Sequence, residues 1–426
     1  MYEFISIVLL LVLSSVFFVR CFSYPVGPQG SLDNRLILFL QEYIRINTSH
    51  PKPDYKKALN FLKKNAKADG FAYQEVDLPS GRTVAIITYL GSDITLPALL
   101  LNHHMDVVPA ENEGWICPPF AGTLHEGSII GRGTQDMKGI GAVHYGALRK
   151  MQLQGIKPRR TIHIVAVPDE EIGGFTGTKE FVESATFSDL HVGFVIDEGH
   201  ASGNAYALDI KVAERKPIQI EVISKGRASH GSLLQSINPI HQLVEFLHEC
   251  VVLHSEQQKK IGVVQAGELL SCNITSLTAG AQKEDGSINL NMVPENAAAT
   301  IDIRVPPTCA KKEIIRFLDN QMSKAPGISY TILAQSDEEP PLIDYEKTKL
   351  YISLSKTIAK FNLQTRPHFF EASSDLRFYL ARGIEGVGLT PFTVKDTIHG
   401  INEAVPVEQL IFGRDIFFTF LKDFCL

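Results

Sequence analysis

The apolar positions of the chain fall into two recurring patterns, helical spacing and short unbroken runs. Helical spacing at residues 32–46 and 55–67 is followed by a β-branched segment at 83–90 that is typical of a strand. This alternation of helices and strands predicts an α/β fold built in layers. The same patterns predict further strands at 96–101, 161–167 and 192–196, and further helices at 138–154 and 178–184.

The pattern changes near residue 211, where strands with two-sided alternation begin to be interleaved with two helices. Such a segment is typical of a small α+β domain, which we expect at 211–332. The flanking segments 24–210 and 333–426 then form the two parts of one larger domain. Within the inserted segment the predicted strands lie at 217–223, 272–277 and 297–304, and the predicted helices at 239–253 and 311–321; a last helix at 406–422 closes the larger domain.

The first residues have a different character from the rest. Residues 5–19 are apolar except for serines, which is the length of a secretory signal core and is short for a membrane span. A cut before Tyr24 would remove residues 1–23, so we expect a secreted protein with no stable membrane span after cleavage. The first four residues lack Lys and Arg, and Arg20 could flank an uncleaved anchor, so a signal-anchored protein stays an alternative.

Composition and charge narrow the function class. The 426 residues are 44% hydrophobic and 21% charged, which is ordinary for a globular protein and long enough for two or three domains. The formal net charge is −6, and nucleic-acid binding needs a basic surface, so we expect no nucleic-acid partner.

Cysteine usage gives weak evidence about the compartment. Five cysteines remain after the expected leader, and an odd number without paired spacing is not a disulfide framework, although one bridge is possible. We expect these side chains to act mainly as small buried hydrophobes. Glycosylation sequons begin at Asn47 and Asn273, and the second falls in a predicted strand.

Acidic residues and histidines follow three of the predicted buried strands. His104 ends the first, Glu170 and Glu171 follow the second, and Glu198 follows the third, while a glycine-rich loop carries Asp136. Because strand ends of one sheet are neighbours, these side chains can converge on one point. Carboxylates with imidazole suit zinc, and an Asp shared between two ions is how two metals are held close together.

Each of these residues also has a structural interpretation. A lone His after a strand is more often a core or turn histidine, Asp136 between glycines could form a turn, and paired glutamates are often solvated. Their joint occurrence favours the metal site.

These residues carry a resemblance to a known family. The segments His104-Met105-Asp106, Gly133-Thr134-Gln135-Asp136-Met137-Lys138, Asp169-Glu170-Glu171 and Asp197-Glu198-Gly199, together with His399, resemble the M20 metallopeptidase family and its aminoacylase-1 branch. The resemblance implies a zinc-exopeptidase-like, three-layer catalytic domain with an inserted ferredoxin-like dimerisation domain, the lid, and hence a homodimer. It also implies an enzyme with two zinc ions per subunit that hydrolyses small-molecule N-acyl-L-amino acids to a carboxylate and a free L-amino acid.

The resemblance also assigns roles near the metals. It makes His104, Asp136 and Glu198 the ligands of one zinc, with Asp136 bridging to a second zinc held by Glu171 and His399. Glu170 becomes the general base, since it adjoins a ligand yet is free of the metal. Asp106 becomes the carboxylate that fixes the His104 imidazole.

Further assignments concern the substrate. His230, in the segment Gly226–Gly231, corresponds to the lid histidine that reaches the partner's active site and stabilises an oxyanion. Asn291 and Arg304 match other lid residues near the substrate, although an Arg at a strand end often only pairs a surface carboxylate. Arg377 matches the arginine that grips the α-carboxylate of the substrate.

Departures from the family pattern leave some questions open. His103 adjoins His104 and could be confused with it, and Glu385 stands where a proline is expected. Intracellular family members lack a leader, so a cytoplasmic location is a second alternative. A dipeptidase or carboxypeptidase would share every metal ligand, and a non-catalytic binding protein could keep the fold, although it would not need Glu170.

Overall fold

The computed structural model describes residues 28–336, 338, 342 and 344–426. The expected leader at 1–23 lies outside these residues. The helices are α1 (Pro28–Ile44), α2 (Tyr55–Ala68), α3 (Lys138–Leu153), α4 (Thr178–Glu183), α5 (Ala185–Asp189), α6 (Pro239–Gln258), α7 (Lys311–Met322), α8 (Lys349–Ala359), α9 (Leu376–Ala381) and α10 (Val407–Cys425). The strands are β1 (Ala72–Asp77), β2 (Thr83–Tyr89), β3 (Ala98–His104), β4 (Thr123–His125), β5 (Ser128–Ile130), β6 (Ile162–Val167), β7 (Val192–Asp197), β8 (Ala207–Glu214), β9 (Lys216–Lys225), β10 (Ser229–His230), β11 (Ser271–Ala279), β12 (Met292–Val293), β13 (Asn296–Val305), β14 (Ile328–Gln335), β15 (Gln364–Phe370), β16 (Glu385–Leu389) and β17 (Ala404–Pro406).

A large mixed sheet forms the centre of the larger domain, with strand order β1-β2-β6-β3-β7-β16-β8-β15. Strands β6, β3 and β7 are parallel neighbours in its middle. Every residue of β3 and β6 is buried, as expected for strands covered on both faces. Leu99 and Leu101 pack in one core with α1, α3 and α10, while Leu100 packs in a second core with Phe181 and Phe378. Helices therefore cover both faces of the sheet, and the predicted α/β layer fold is confirmed.

The inserted segment forms a second sheet with its own core. Apart from the short strands β10 and β12, which pair with each other, its elements follow the order β9-α6-β11-β13-α7-β14, and the strands of its sheet lie side by side as β11-β13-β9-β14, all antiparallel. This β-α-β-β-α-β arrangement is the ferredoxin-like plan. Its core includes Ile218, Ile220, Phe246 and Leu318. We call this unit the lid.

The structure moves the edges of the lid from their expected positions. The expected boundaries at 211 and 332 fall inside β8 and β14. All of β8 is buried in the large sheet, although it carries the charged residues Asp209, Lys211 and Glu214. Strand β9 begins two residues after β8 ends, so the chain leaves the larger domain at residue 215.

Two further features complete the fold. The five cysteines among the described residues form no disulfide bond with one another: Cys117, Cys250, Cys272, Cys309 and Cys425. Across the described part of the chain, the helices are too short or too polar to cross a membrane.

Candidate dinuclear metal centre

Three neighbouring strands bring the predicted ligands to one edge of the large sheet. Strand β3 ends at His104, β6 leads into the turn Glu170–Ile172, and β7 leads directly to Glu198. Since β6, β3 and β7 are parallel, their carboxyl ends share that edge, as the sequence predicted.

Asp136 lies between two histidines and offers one carboxylate oxygen to each. Its Oδ1 is 2.9 Å from His104 Nε2, and its Oδ2 is 3.1 Å from His399 Nε2. Glu198 Oε2 lies 3.6 Å from His104 Nε2, and Glu171 Oε2 lies 3.3 Å from His399 Nε2. The five residues thus form two overlapping groups, each with one histidine and one glutamate, that share Asp136.

The loop that carries Asp136 is held by a buried carboxylate. Glu403 accepts hydrogen bonds from the backbone N–H groups of Gly133, Gln135 and Asp136 at 2.8 to 3.2 Å. It also pairs with Arg132 at 2.8 Å. The Arg132 guanidinium donates in turn to the His399 carbonyl at 3.2 Å, so one network joins both sides of the centre.

Asp106 is placed differently from the expected contact with the imidazole. The His104 ring is oriented by the Asp106 backbone carbonyl, 2.9 Å from Nδ1, while the carboxylate lies farther away at 3.6 Å. That carboxylate instead accepts from the backbone N–H groups of Glu170 and Glu171 at 3.2 and 3.1 Å, and lies 3.0 Å from His50 Nε2. Asp106 therefore fixes the turn that carries both glutamates.

The same turn is supported from its other side. Asp169 adopts a left-handed φ of 65°, a strained conformation that recurs at functional sites. Its carboxylate accepts from the N–H and hydroxyl of Thr176 at 2.9 and 2.5 Å. Arg377 is buried and donates to the carbonyls of Gly173 and Ser374. Its terminal nitrogens thus hold the backbone of the turn, and its contact with a substrate carboxylate stays a prediction.

The electrostatics of the cluster indicate a shortage of positive charge. Burial, and then the charge of Glu198, raise the pKa of Glu170 well above its usual range. Burial and Asp136 raise the pKa of Glu198 to about 7 and also raise that of Glu171. Burial would raise the pKa of Asp136 too, but its bonds to the two histidines lower it. Carboxylate and imidazole donors in this arrangement fit two divalent cations such as zinc.

Glu170 differs from its neighbours in having no fixed partner. Its carboxylate makes no hydrogen bond or ion pair within the part of the chain that the structure describes. It lines a pocket together with Asp136, Glu171, Glu198 and His399, and the remaining wall includes the apolar side chains Phe370, Ala372 and Ile398.

Of the three predicted lid residues, His230 and Asn291 lie together, and Arg304 lies toward the other end of the lid sheet. His230 Nε2 is 2.8 Å from Asn291 Nδ2, where strands β10 and β12 pair, and both residues are exposed. Arg304 pairs with Asp302 of its own strand through contacts of 2.7 and 3.2 Å. Among the described residues, none of these three side chains has a hydrogen bond or ion pair with the metal ligands.

Comparison with known proteins identifies the family. The sequence profile of peptidase family M20/M25/M40 matches residues 100–423. Aminoacylase-1 of Mus musculus is 30% identical over 388 residues, covering 89% of this chain and 93% of the mouse protein. Aminoacylase-1B of Rattus norvegicus is 31% identical over 398 residues, covering 92% and 95%. Among solved structures, the M20 family metallo-carboxypeptidase Sso-CP2 of Sulfolobus solfataricus shares the fold with a TM-score of 0.70 at 16% identity, covering 91% of this chain and 98% of the other. The chain therefore belongs to the M20 peptidase family, within its aminoacylase-1 branch, and has the zinc-exopeptidase-like α/β fold of that family.

Proposed function

We propose that this protein is a zinc-dependent aminoacylase that hydrolyses N-acyl-L-amino acids to a carboxylate and a free L-amino acid. The observation that carries the proposal is the unpartnered Glu170 carboxyl group in the pocket beside the shared Asp136. Membership in the aminoacylase-1 branch supports the choice of substrate class.

The residues divide the work as follows. His104, Asp136 and Glu198 would hold one metal ion, and Asp136, Glu171 and His399 the other. Two such ions polarise a scissile carbonyl and acidify water. Glu170 takes a proton from the attacking water and passes it to the leaving amine nitrogen. The pocket position of Glu170, beside Asp136, Glu171 and Glu198, puts its carboxyl group next to both proposed metal positions, as this proton shuttle requires.

The central test replaces the base while keeping the ligands. Glu170→Gln should lower kcat by about 100- to 10,000-fold, the usual contribution of a general base, while the bound metal content stays unchanged. Glu183→Gln is the matched control, since Glu183 is exposed and pairs with Arg382 at 3.5 Å, with no other ion pair among the described residues. Full activity of Glu170→Gln would overturn the catalytic proposal.

Substrate class needs its own measurement. Release of free amine would be followed with acetyl-amino acids, palmitoyl-amino acids and dipeptides, with zinc and with a chelator. We expect the acyl-amino acids to be cleaved faster than the dipeptides and cleavage to stop when zinc is removed. A preference for dipeptides would instead favour an M20 dipeptidase or carboxypeptidase.

We further propose a homodimer assembled through the lid. Strand β11 lies at the edge of the lid sheet with Ile274 and Leu277 exposed, and α6 exposes Val251 and Val252 nearby. In such a dimer His230 would reach the partner's pocket.

Mixing inactive His230→Ala with inactive Glu170→Gln should therefore restore part of the activity, up to about a quarter if half of the dimers are mixed and each has one intact site. Verified mixed dimers without activity would contradict a shared site.

The protein is also proposed to be secreted after removal of residues 1–23, on the basis of the apolar segment at 5–19. Expression of the full chain in a secreting cell should yield protein in the medium that begins at Tyr24. Retention in the membrane fraction with an intact amino terminus would favour the anchored alternative.

A further inference from the structure

A second cluster of metal-binding side chains lies outside the dinuclear centre. It consists of His200, in the loop after β7, Asp209 on β8 and His368 on β15, and one donor atom from each lies within 4.8 Å of the others. Strands β8 and β15 are parallel neighbours, with Asp209 opposite Arg366. His368 is two residues beyond Arg366 on the same strand, so the pleat brings it to the same side.

The separations in this cluster match those of the dinuclear centre. His200 Nε2 lies 3.6 Å from Asp209 Oδ2, the same distance as between His104 Nε2 and Glu198 Oε2. This is too long for a hydrogen bond, but it suits two donors that each lie about 2 Å from one shared ion. The two imidazole rings lie with centroids 4.2 Å apart.

The neighbouring groups orient the cluster and balance its charge. Arg366 donates to both oxygens of Asp209 at 2.7 and 2.9 Å, which fixes the carboxylate while each oxygen keeps a second lone pair. Glu371 Oε2 lies 3.2 Å from His368 Nε2 and can orient that ring as carboxylates orient metal-binding histidines. The His200 ring forms no hydrogen bond with any described residue, so it has no other polar role in the structure.

We propose that His200, Asp209 and His368 form a third metal site, selective for a divalent transition metal of the zinc and cobalt type. Two imidazoles with one carboxylate suit these ions, whereas magnesium and calcium prefer sites made of oxygen ligands. The three side chains are largely buried, with 20%, 9% and 14% of their surface exposed, so the site is partly shielded from water.

The site adjoins the catalytic pocket without sharing its ligands. His200 lines that pocket and stacks with Phe370 at 6.1 Å between ring centroids and 15° between ring planes. A bound ion would therefore fasten the loop after β7 to β15 and stiffen this wall of the pocket. The proposal does not depend on which substrate the dinuclear centre hydrolyses.

The test counts Co²⁺ ions per full-length chain after equilibration and removal of free metal, and follows visible absorption during the titration. Wild type should bind three equivalents, of which one is lost in both His368→Ala and His368→Gln. His125→Ala, which removes an exposed imidazole on β4, should still bind three. Asp136→Asn should weaken binding at the dinuclear centre and retain the equivalent that depends on His368.

Two outcomes would overturn the third site. One is a wild-type protein that saturates at two equivalents, which requires no variant to interpret. Another is a His368→Gln protein that binds Co²⁺ with wild-type stoichiometry and affinity. Because ions are counted, the result is independent of amine release, so a failed aminoacylase assay and a missing third ion remain distinguishable.

Discussion

At the scale of single residues, the ligands were easier to predict than the groups that hold them. The predicted ligands are close to one another because their residue types and strand-end positions are visible in the sequence. His50 was missed, since it lies 56 positions before Asp106 and no motif links the two. The Asp106 carboxylate also accepts hydrogen bonds from the backbone N–H groups of Glu170 and Glu171. These hydrogen bonds have no sequence signature either.

Asp106→Asn tests the role that the structure gives to this carboxylate. Burial would raise the pKa of Asp106, but the neighbouring imidazoles of His104 and His50 lower it to about 2, so the group is ionised at neutral pH. The side-chain amide of the variant has only one acceptor oxygen. Its NH₂ group would face groups such as the backbone N–H of Glu170 or Glu171, which themselves donate to the carboxylate in the wild type. We expect metal affinity to fall about 10- to 100-fold, as for other groups that orient ligands, with a matching loss of activity at limiting zinc.

The measurement is zinc affinity by competition with a chromogenic chelator. Asp77→Asn is the control, because Asp77 is an exposed acceptor on β1 that bonds to Thr83 at 2.8 Å. Equal zinc affinities for wild type and Asp106→Asn would show that the turn holds its position without this carboxylate.

At the scale of elements, the fully buried apolar strands were predicted well and the charged strands were not. Strand β8 reads as a half-exposed strand because Asp209, Lys211 and Glu214 alternate with apolar residues. In the fold these charges are buried with partners: Lys211 lies 3.7 Å from Glu214, and Asp209 pairs with Arg366. Strand β15 was missed because Pro367 and Arg366 lower its strand signal, and it lies at the sheet edge, where proline is tolerated.

Glu403→Gln tests whether the segment before β17 and the Asp136 loop act as one unit. The Glu403 carboxylate binds three backbone N–H groups of that loop and the buried Arg132. Removing its charge leaves the Arg132 guanidinium buried without its counter-ion, which should cost about 3–5 kcal/mol of unfolding free energy. Zinc affinity should fall as well, because the bridging Asp136 loses its support.

Glu385→Gln provides a matched control for this variant. The Glu385 carboxylate also accepts a backbone N–H, from Leu350 at the start of α8, at 2.6 Å. This contact explains why a glutamate is accommodated where the family resemblance led us to expect proline. We expect a loss of stability of about 0.5–2 kcal/mol, typical of a helix cap, with zinc affinity unchanged. If Glu403→Gln behaved like Glu385→Gln in both measurements, the proposed coupling would be refuted.

At the scale of the whole molecule, the catalytic domain buries several imidazoles in their neutral form. Burial, and then the charge of His104, lower the pKa of His103 to about 3. Burial lowers the pKa of His163 to about 4, and it lowers the pKa of His144 well below the usual value. His103 lies beside the metal centre, but its Nε2 faces the Tyr43 hydroxyl at 3.3 Å. It therefore packs in the core, whereas His104 Nε2 lies 2.9 Å from Asp136, which supports the prediction that His104 is the ligand.

These histidines should make the fold sensitive to mild acid. The unfolded chain takes up protons on them below about pH 6.5, whereas the folded protein does not until the pH approaches the lowered pKa values. The unfolded state then binds more protons, so the free energy of unfolding decreases as the pH falls, by about 1.4 kcal/mol per pH unit for each such histidine. For His163 this loss extends from about pH 6.5 down to about pH 4, and above that window its contribution is constant.

His163→Gln isolates one of these contributions. The variant loses the contact between His163 Nδ1 and the Thr88 hydroxyl at 2.9 Å, which lowers stability by a similar amount at every pH. Between pH 6 and pH 4.5 the unfolding free energy of the variant should nevertheless decrease less steeply with falling pH than that of wild type. The difference between the two slopes should be about 1.4 kcal/mol per pH unit. Urea unfolding of both proteins at matched zinc concentrations measures the two slopes, and His125→Gln controls for the loss of an exposed histidine. Parallel curves for wild type and His163→Gln would mean that His163 takes up its proton over the same pH range in the folded and unfolded protein, and the burial argument for acid sensitivity would fail at this position.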